Sequence, residues 1–364
     1  MTSIKYYTDI QRLPVIDRNI IKNQIDKLYM GSPLIKFKSF TSGTSGSPLT
    51  VYRTPFDINT EQSYLQQYRQ SKGYQKGEPI LSIRGFLGKS IPFQKNLATN
   101  TLFLSSPNIH QGTIETFYQL IRTHQPKAIE AFPSYLYKLA IELERKNLSL
   151  SIPVAFTSSE TLYAFQRSKI EQILHTKIYD WYGNVERTIG IAQDKDLKYN
   201  PLPLYSINEY RENFVLTTSL INTHFPLIRY KVDDRIAVYS EGFTKNIVSP
   251  DIAAINGRAG DTIQLNDGSI VGCIDHAFKG IDHLDMAQIH VPENMAPLEI
   301  KLVTDSLFNQ QHAGQLTENL FRMLGQDAKF TFKYCRPEDL TFSPNQKFRL
   351  IIHHSPNSST QKRA

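Results

Sequence analysis

Cysteine is scarce. Only Cys273 and Cys335 occur in 364 residues, far apart and without neighbouring metal-ligand spacing, so neither a disulfide framework nor a zinc site is indicated and both read as buried thiols. Long apolar runs are missing as well. No stretch approaches the roughly 20 residues of a spanning helix, and the opening MTSIKYYTDIQRLPVIDRN has no apolar core of signal-peptide length, which predicts a cytoplasmic protein with no membrane span. Internal repeats are absent, and the one biased tract is the polar ending SPNSSTQKRA, expected to fray as a disordered tail near 355–364. A GxSxG elbow is also lacking, so no serine hydrolase is indicated.

What is present is ordinary for a folded chain: 40% hydrophobic and 21% charged residues, with abundant Tyr and Phe. Lysine and arginine exceed the acids by 41 to 34, a net charge of +7 that suits a polyanionic ligand such as a nucleotide or coenzyme A. The basic residues are scattered and no helix-turn-helix or RNA-binding signature stands out, so a nucleic-acid partner is not expected.

The length predicts two domains, one large and one small. Apolar runs such as PILSIRGFL, TLFLSS, KAIEAF, PVAFTSS and NFVLTTSL alternate with the helical patterns GTIETFYQLIRTH, PSYLYKLAIELERKN and TLYAFQRSKIEQILH. That alternation predicts an α/β fold with layered, largely parallel sheets. SETLYAF reads as a helix start with Ser159 or Thr161 as its cap. Past INGRAGD the order becomes short strands, a helix over GQLTENLFRML and further strands, which predicts a small α+β domain. Glycines flanking Arg258 place the boundary at Gly257–Asp261, giving domains 1–257 and 258–364.

Chemistry concentrates in a few stretches. In FTSGTSGSPLTVY, Gly43 and Gly46 let backbone N–H groups turn inward, and Thr41, Ser42, Thr44 and Ser45 add hydroxyls that could surround phosphate oxygens. This loop lacks the GK[ST] ending of a Walker loop, and taken alone it reads equally well as a linker. Further on lie AFPSYLY (131–137), FTSSETLYAFQR (156–167), DWYGNVERTIG (180–190), FPLIRYKVDDRI (225–236), INGRAGDTIQLNDGSIV (255–271) and FSPNQKFRLI (342–351).

In order and content these motifs resemble the adenylate-forming superfamily of acyl-CoA synthetases and adenylation domains, and most closely its phenylacetate:CoA ligase and CapK-like branch. The likeness runs from about residue 12 to residue 351 and implies an AMP-forming acid:thiol ligase that uses ATP and Mg²⁺. It assigns Thr41, Ser42, Gly43, Thr44, Ser45 and Gly46 to the ATP phosphates. Ser159 and Glu160 would line the adenine pocket, with Tyr182 and Gly183 carrying the ring that stacks on the purine. Glu186 would coordinate Mg²⁺, Asp234 would accept the ribose hydroxyls, and Arg258 would contact ribose or α-phosphate. Lys347 would approach the carboxylate and α-phosphate during adenylation. Without the resemblance, Tyr182 reads as core, Glu186 as a surface charge, and the acids of KVDDR as a surface pair with Lys231 or Arg235.

Three positions depart from the pattern: Leu49 where lysine is common, Asp233 where glycine is usual, and Gly260 at the hinge. Asp233 leaves two adjacent carboxylates as ribose candidates. The chain also starts only a dozen residues before LPVIDRN, which implies a large domain shortened at its N-terminus, its bared face trimmed or covered by a second copy in a homodimer. The reaction implied is carboxylate plus ATP to acyl-AMP and pyrophosphate, then acyl transfer to coenzyme A, with a carrier protein or an amine as the alternative acceptors. Phe132, Tyr135 and Trp181 suggest a pocket for a small, aromatic or compact acid, or else are core. A non-catalytic nucleotide-binding scaffold and a polyanion-binding module are the readings from other classes.

Overall fold

The structure is a computed structural model that describes residues 7–32, 34–40, 49–85, 87, 91–239, 251–258, 263–264, 270–271, 274–278, 281–292, 296–342 and 348–354. Helix α1 (Arg18–Leu28) begins where Asp17 accepts the Ile20 N–H at 2.8 Å. An antiparallel hairpin of β1 (Phe37–Phe40) and β2 (Thr50–Arg53) leads into α2 (Pro55–Ser71). Local sequence explains that start: Pro55 suits a first helical turn, and Thr54 and Asp57 cap each other's backbone N–H.

The alternation legible in the sequence then unfolds as β3 (Ile80–Arg84), β4 (Phe93–Asn96), β5 (Thr101–Ser105), α3 (Ile114–His124), β6 (Ala128–Ala131), α4 (Pro133–Arg145), β7 (Val154–Ser158), α5 (Ala164–Leu174), β8 (Lys177–Gly183), β9 (Gly190–Gln193) and β10 (Tyr199–Pro201). These strands make one sheet of eight in the order β10-β9-β8-β7-β6-β3-β5-β4. Its centre, β8 to β5, is parallel, and both edges are antiparallel. Successive side chains point to opposite faces, so each strand feeds two cores. Leu81, Ile129, Ala155 and Ile178 pack against α3, α4 and α5 on one face. On the other, Ile80, Ala128, Phe156, Tyr179 and Trp181 pack against Tyr68 of α2 and Tyr205. Each fully buried Leu or Ile contributes ~1.5–3 kcal/mol relative to exposure.

Helix α5 starts at Ala164, later than the sequence suggested. Ser159 has φ +69° and Tyr163 is extended, while the Tyr163 N–H donates to Gln166 Oε1 at 3.2 Å, so neither Ser159 nor Thr161 is the cap. Beyond the main sheet, β11 (Ser206–Tyr210), β12 (Val215–Ser219) and β13 (Tyr230–Val232) form an antiparallel sheet. Strands β14 (Asp234–Val238) and β15 (Ile252–Arg258) form a ribbon.

After a short β16–β17 pair (Ile263–Gln264, Ile270–Val271) comes the small α+β unit: β18 (Leu284–Val291), β19 (Leu298–Thr304), α6 (Gln310–Leu324), β20 (Phe330–Tyr334) and β21 (Ile351–His353). Its sheet runs β20-β19-β18-β21, and α6 buries Leu316, Leu320 and Leu324, spaced four apart, against it. The unit touches the larger one where Arg145 of α4 pairs with Asp285 at 2.9 Å and where Tyr163 packs on its core. Cys335 is a free thiol and only partly buried, and Cys273 lies outside the described residues. Among the described residues no helix is long and apolar enough to cross a membrane.

Candidate active site

Ligands of open α/β sheets bind outside the carboxyl ends of the parallel strands. Here the pairings Ala131↔Thr157 and Ser158↔Trp181 bring the ends of β6, β7 and β8 side by side, so AFPSYLY, FTSSE and WYGNVE emerge as neighbours. Buried Asp180 supports these ends: Thr157 donates to it at 2.5 Å and Tyr199 at 2.8 Å, and burial pushes its carboxyl up. Ser159 follows β7 in a left-handed conformation, a strain of roughly 1–2 kcal/mol for a residue with a Cβ. Glu160 then reaches α4, where its Oε2 accepts the Ser134 N–H at 3.1 Å. A carboxylate there offsets the positive end of the helix dipole.

The YGNVE and RYKVDD segments are joined by two side-chain bonds. Tyr182 donates its hydroxyl to Asp234 Oδ2 at 2.7 Å, and Tyr230 donates to Glu186 Oε1 at 2.9 Å. Burial first, and the neighbouring Glu186 charge second, push the Tyr230 phenol well above its ordinary value, so it remains a donor. Glu186 is buried, not a surface charge. Asp234 pairs across the ribbon with Arg258, of which the backbone alone is described. Its neighbour Asp233 is exposed and pairs with Lys231 at 3.3 Å, so the two adjacent acids have different surroundings. Gly183 is required by close approach: a Cβ there would sit 3.0 Å from Trp181 Nε1 and 3.3 Å from the Ile189 carbonyl oxygen.

The three aromatics named for an acid pocket do not share a face. Phe132 and Tyr135 stack at 5.0 Å at the start of α4, where Tyr135 is buried in the core that α4 shares with α3 and α5. Trp181 is buried on the opposite face between Tyr68 and Tyr205. Leu49 is fully buried beside Val51 and Phe225.

Thr41, Ser42, Gly43, Thr44, Ser45, Gly46, Gly260 and Lys347 lie outside the described residues. The segment ends around Lys347 are nevertheless fixed. Buried Gln288 donates from Nε2 to the Thr341 and Arg349 carbonyls at 2.8 and 2.9 Å, and Phe342 and Phe348 form a bridge. Sequence reasoning missed Tyr230 and Gln288. The first sits within the RYKVDD motif itself, whereas nothing in the sequence around Gln288 marks it.

Magnesium fits Glu186 in one respect and is limited in another. A buried, oriented carboxylate is a hard oxygen ligand, and Mg²⁺ commonly takes one or two such groups with the rest from phosphate and water. Among the described residues no group of three or more His, Cys, Asp or Glu could hold an ion without such help.

Comparison with known proteins agrees with this architecture. No family model matches the chain. CapK of Staphylococcus aureus is 24% identical over 280 residues, covering 72% of this chain and 62% of CapK. Phenylacetate-coenzyme A ligase of Pseudomonas putida is 30% identical over 213 residues, covering 53% of this chain and 48% of the ligase. The chain therefore spans less than two thirds of either relative. Among solved structures, 2-hydroxyisobutyryl-CoA ligase in its postadenylation state superposes with a TM-score of 0.72 at 14% identity, over 96% of this chain and 82% of that one. The same ligase in an open conformation superposes with a TM-score of 0.53 at 15% identity. The fold is that of the adenylate-forming ligases. In sequence the chain is similar to CapK and to phenylacetate-coenzyme A ligase, over part of the length of each.

Proposed function

We propose that this chain joins a small carboxylic acid to ATP, releasing pyrophosphate, and then passes the acyl group from the adenylate to coenzyme A. The observation that carries this reading is the pair of bonds from RYKVDD to YGNVE, which gather an aromatic ring and two carboxylates of assigned motifs beside the carboxyl end of β8.

In the first step a carboxylate oxygen attacks the α-phosphorus, and the bond to the bridging oxygen breaks toward pyrophosphate. In the second a thiolate attacks the acyl carbon, and AMP leaves with the bonding pair. The protein contributes orientation and charge. Tyr182 provides the face for adenine beside Ser159, Glu160 and Gly183. Asp234, rather than the solvent-facing Asp233, takes the ribose hydroxyls, with Arg258 opposite it on the ribbon. Thr41–Gly46 cradle the phosphates, and Lys347 stabilises charge on the attacked phosphorus. Glu186 would hold Mg²⁺, whose charge neutralises phosphate oxygens when it is bound with ATP. Residues 258–364 act as a small domain hinged at Gly257–Asp261. Its separate core, drawn almost wholly from Ile263 to Ile351, supports that division.

The test is acid-dependent exchange of pyrophosphate into ATP with a panel of aromatic and short aliphatic acids, followed by addition of coenzyme A or an amine to the adenylate. The expected result is exchange with at least one acid, reduced about a hundredfold or more in Lys347→Ala. ATP binding without exchange for any acid would favour the non-catalytic scaffold instead.

A further inference from the structure

Beyond the residues assigned a role above, the structure holds a charged cluster in its interior. Glu61, on the second turn of α2, has a side chain only 2% exposed and lies between two arginines. Arg187 Nη1 is 2.6 Å from Glu61 Oε1, and Arg53 Nη1 is 3.4 Å from Glu61 Oε2. A carboxylate at this depth costs far more to bury than a surface pair contributes, and it is retained only where both oxygens find partners.

Each arginine leads to a segment of the proposed nucleotide site. Arg187 follows Glu186 directly and has φ +57°, a left-handed conformation that a side chain with a Cβ resists. Its carbonyl accepts the Ser219 hydroxyl at 2.8 Å, and its N–H donates to the Asn184 carbonyl at 3.2 Å. The turn bearing Glu186 is thus held by its backbone on one side and by Glu61 on the other. Arg53 belongs to β2, and its Nη2 donates to Ser39 of β1 at 2.5 Å, across the hairpin whose connection contains Thr41–Gly46.

We infer that Glu61 is a positioning residue that sets the Glu186 turn and the β1–β2 hairpin in register with each other, so that both meet one magnesium–triphosphate. This inference rests on the function proposed above and deepens it. One oxygen of Glu61 faces each segment, an arrangement that a neutral side chain cannot hold and a shortened carboxylate holds only in part.

The experiment measures MgATP affinity by titration calorimetry for the full chain and for Glu61→Gln, Glu61→Asp and Asp57→Asn. Asp57 is equally buried on the same helix but holds Thr54, Thr223 and His224. Positioning predicts MgATP binding weakened by about tenfold to a hundredfold in Glu61→Gln and partly restored in Glu61→Asp. Asp57→Asn should remain within about twofold of the parent, because its bonds go to Thr54, Thr223 and His224 and to neither Arg187 nor Arg53. In pyrophosphate exchange, KM for ATP rises while KM for the acid does not. Should Glu61→Gln fail to fold, Arg187→Gln, with a more exposed side chain, carries the same comparison. Unchanged MgATP affinity in a folded Glu61 variant, or equal loss in Asp57→Asn, overturns the inference and leaves the proposed function standing. A parent chain that binds no MgATP overturns both.

Discussion

Single hydrogen bonds carry much of the account, and the Tyr182–Asp234 bond is the most exposed to test. A bond to an ionised group is worth ~1.5–3 kcal/mol, and here the phenol also aims the carboxylate. Tyr182→Phe keeps the ring and removes the donor. The expected outcome is a KM for ATP raised by about three- to tenfold with kcat little altered, read from initial rates at saturating acid.

His290 provides a second residue-scale prediction. Its Nε2 lies 3.0 Å from Gln288 Oε1, an acceptor, and its Nδ1 lies 2.9 Å from His354 Nε2. A neutral ring satisfies both neighbours, whereas a charged one would turn N–H toward N–H. Burial, then the Lys301 charge and the neighbouring His354 ring, press its pKa from 6.5 to about 4, against a smaller opposing pull from Glu299. Between those values the unfolded chain binds more protons than the folded one, so this contribution to stability falls as pH falls from 6.5 toward about 4. The melting temperature of the parent should therefore drop more between about pH 7 and pH 5 than that of His290→Gln. Equal drops would show that His290 does not titrate in this window.

Elements were more legible in the sequence than contacts. PVAFTSS reads as a strand, and the structure shows what the sequence alone does not, that its alternate residues feed opposite faces, with Ala155 on one and Phe156 on the other. Helix α6 was readable from apolar residues spaced four apart. The start of α5 was not, because Ser159 looks like a cap but turns left-handed. Glu61 was invisible for a different reason: a charged residue on a helix reads as solvated until Arg187, 126 positions later, is seen beside it. At this scale Leu320→Ala, fully buried between α6 and its sheet, should lower stability by ~2–5 kcal/mol in urea unfolding.

At the scale of the molecule, a large α/β unit and a small α+β unit meet at α4, where Tyr137 donates to the Asp285 carbonyl and Arg145 pairs with both Glu142 and the Asp285 side chain. The order of motifs along the chain led us to expect a nucleotide site, and the fold brings two of those motifs, YGNVE and RYKVDD, into direct contact. How the acid pocket is built was less legible, since Tyr135 and Trp181 are core residues on opposite sides of the sheet.

The central claim is that YGNVE and RYKVDD form one side of a single adenylate site. A crystal structure with a non-hydrolysable acyl-adenylate tests it most directly. The account predicts adenine against the Tyr182 ring and both ribose hydroxyls on Asp234, with the phosphate position facing Glu186. A nucleotide bound elsewhere, or with its ribose on Asp233 and Tyr182 out of contact, would contradict it.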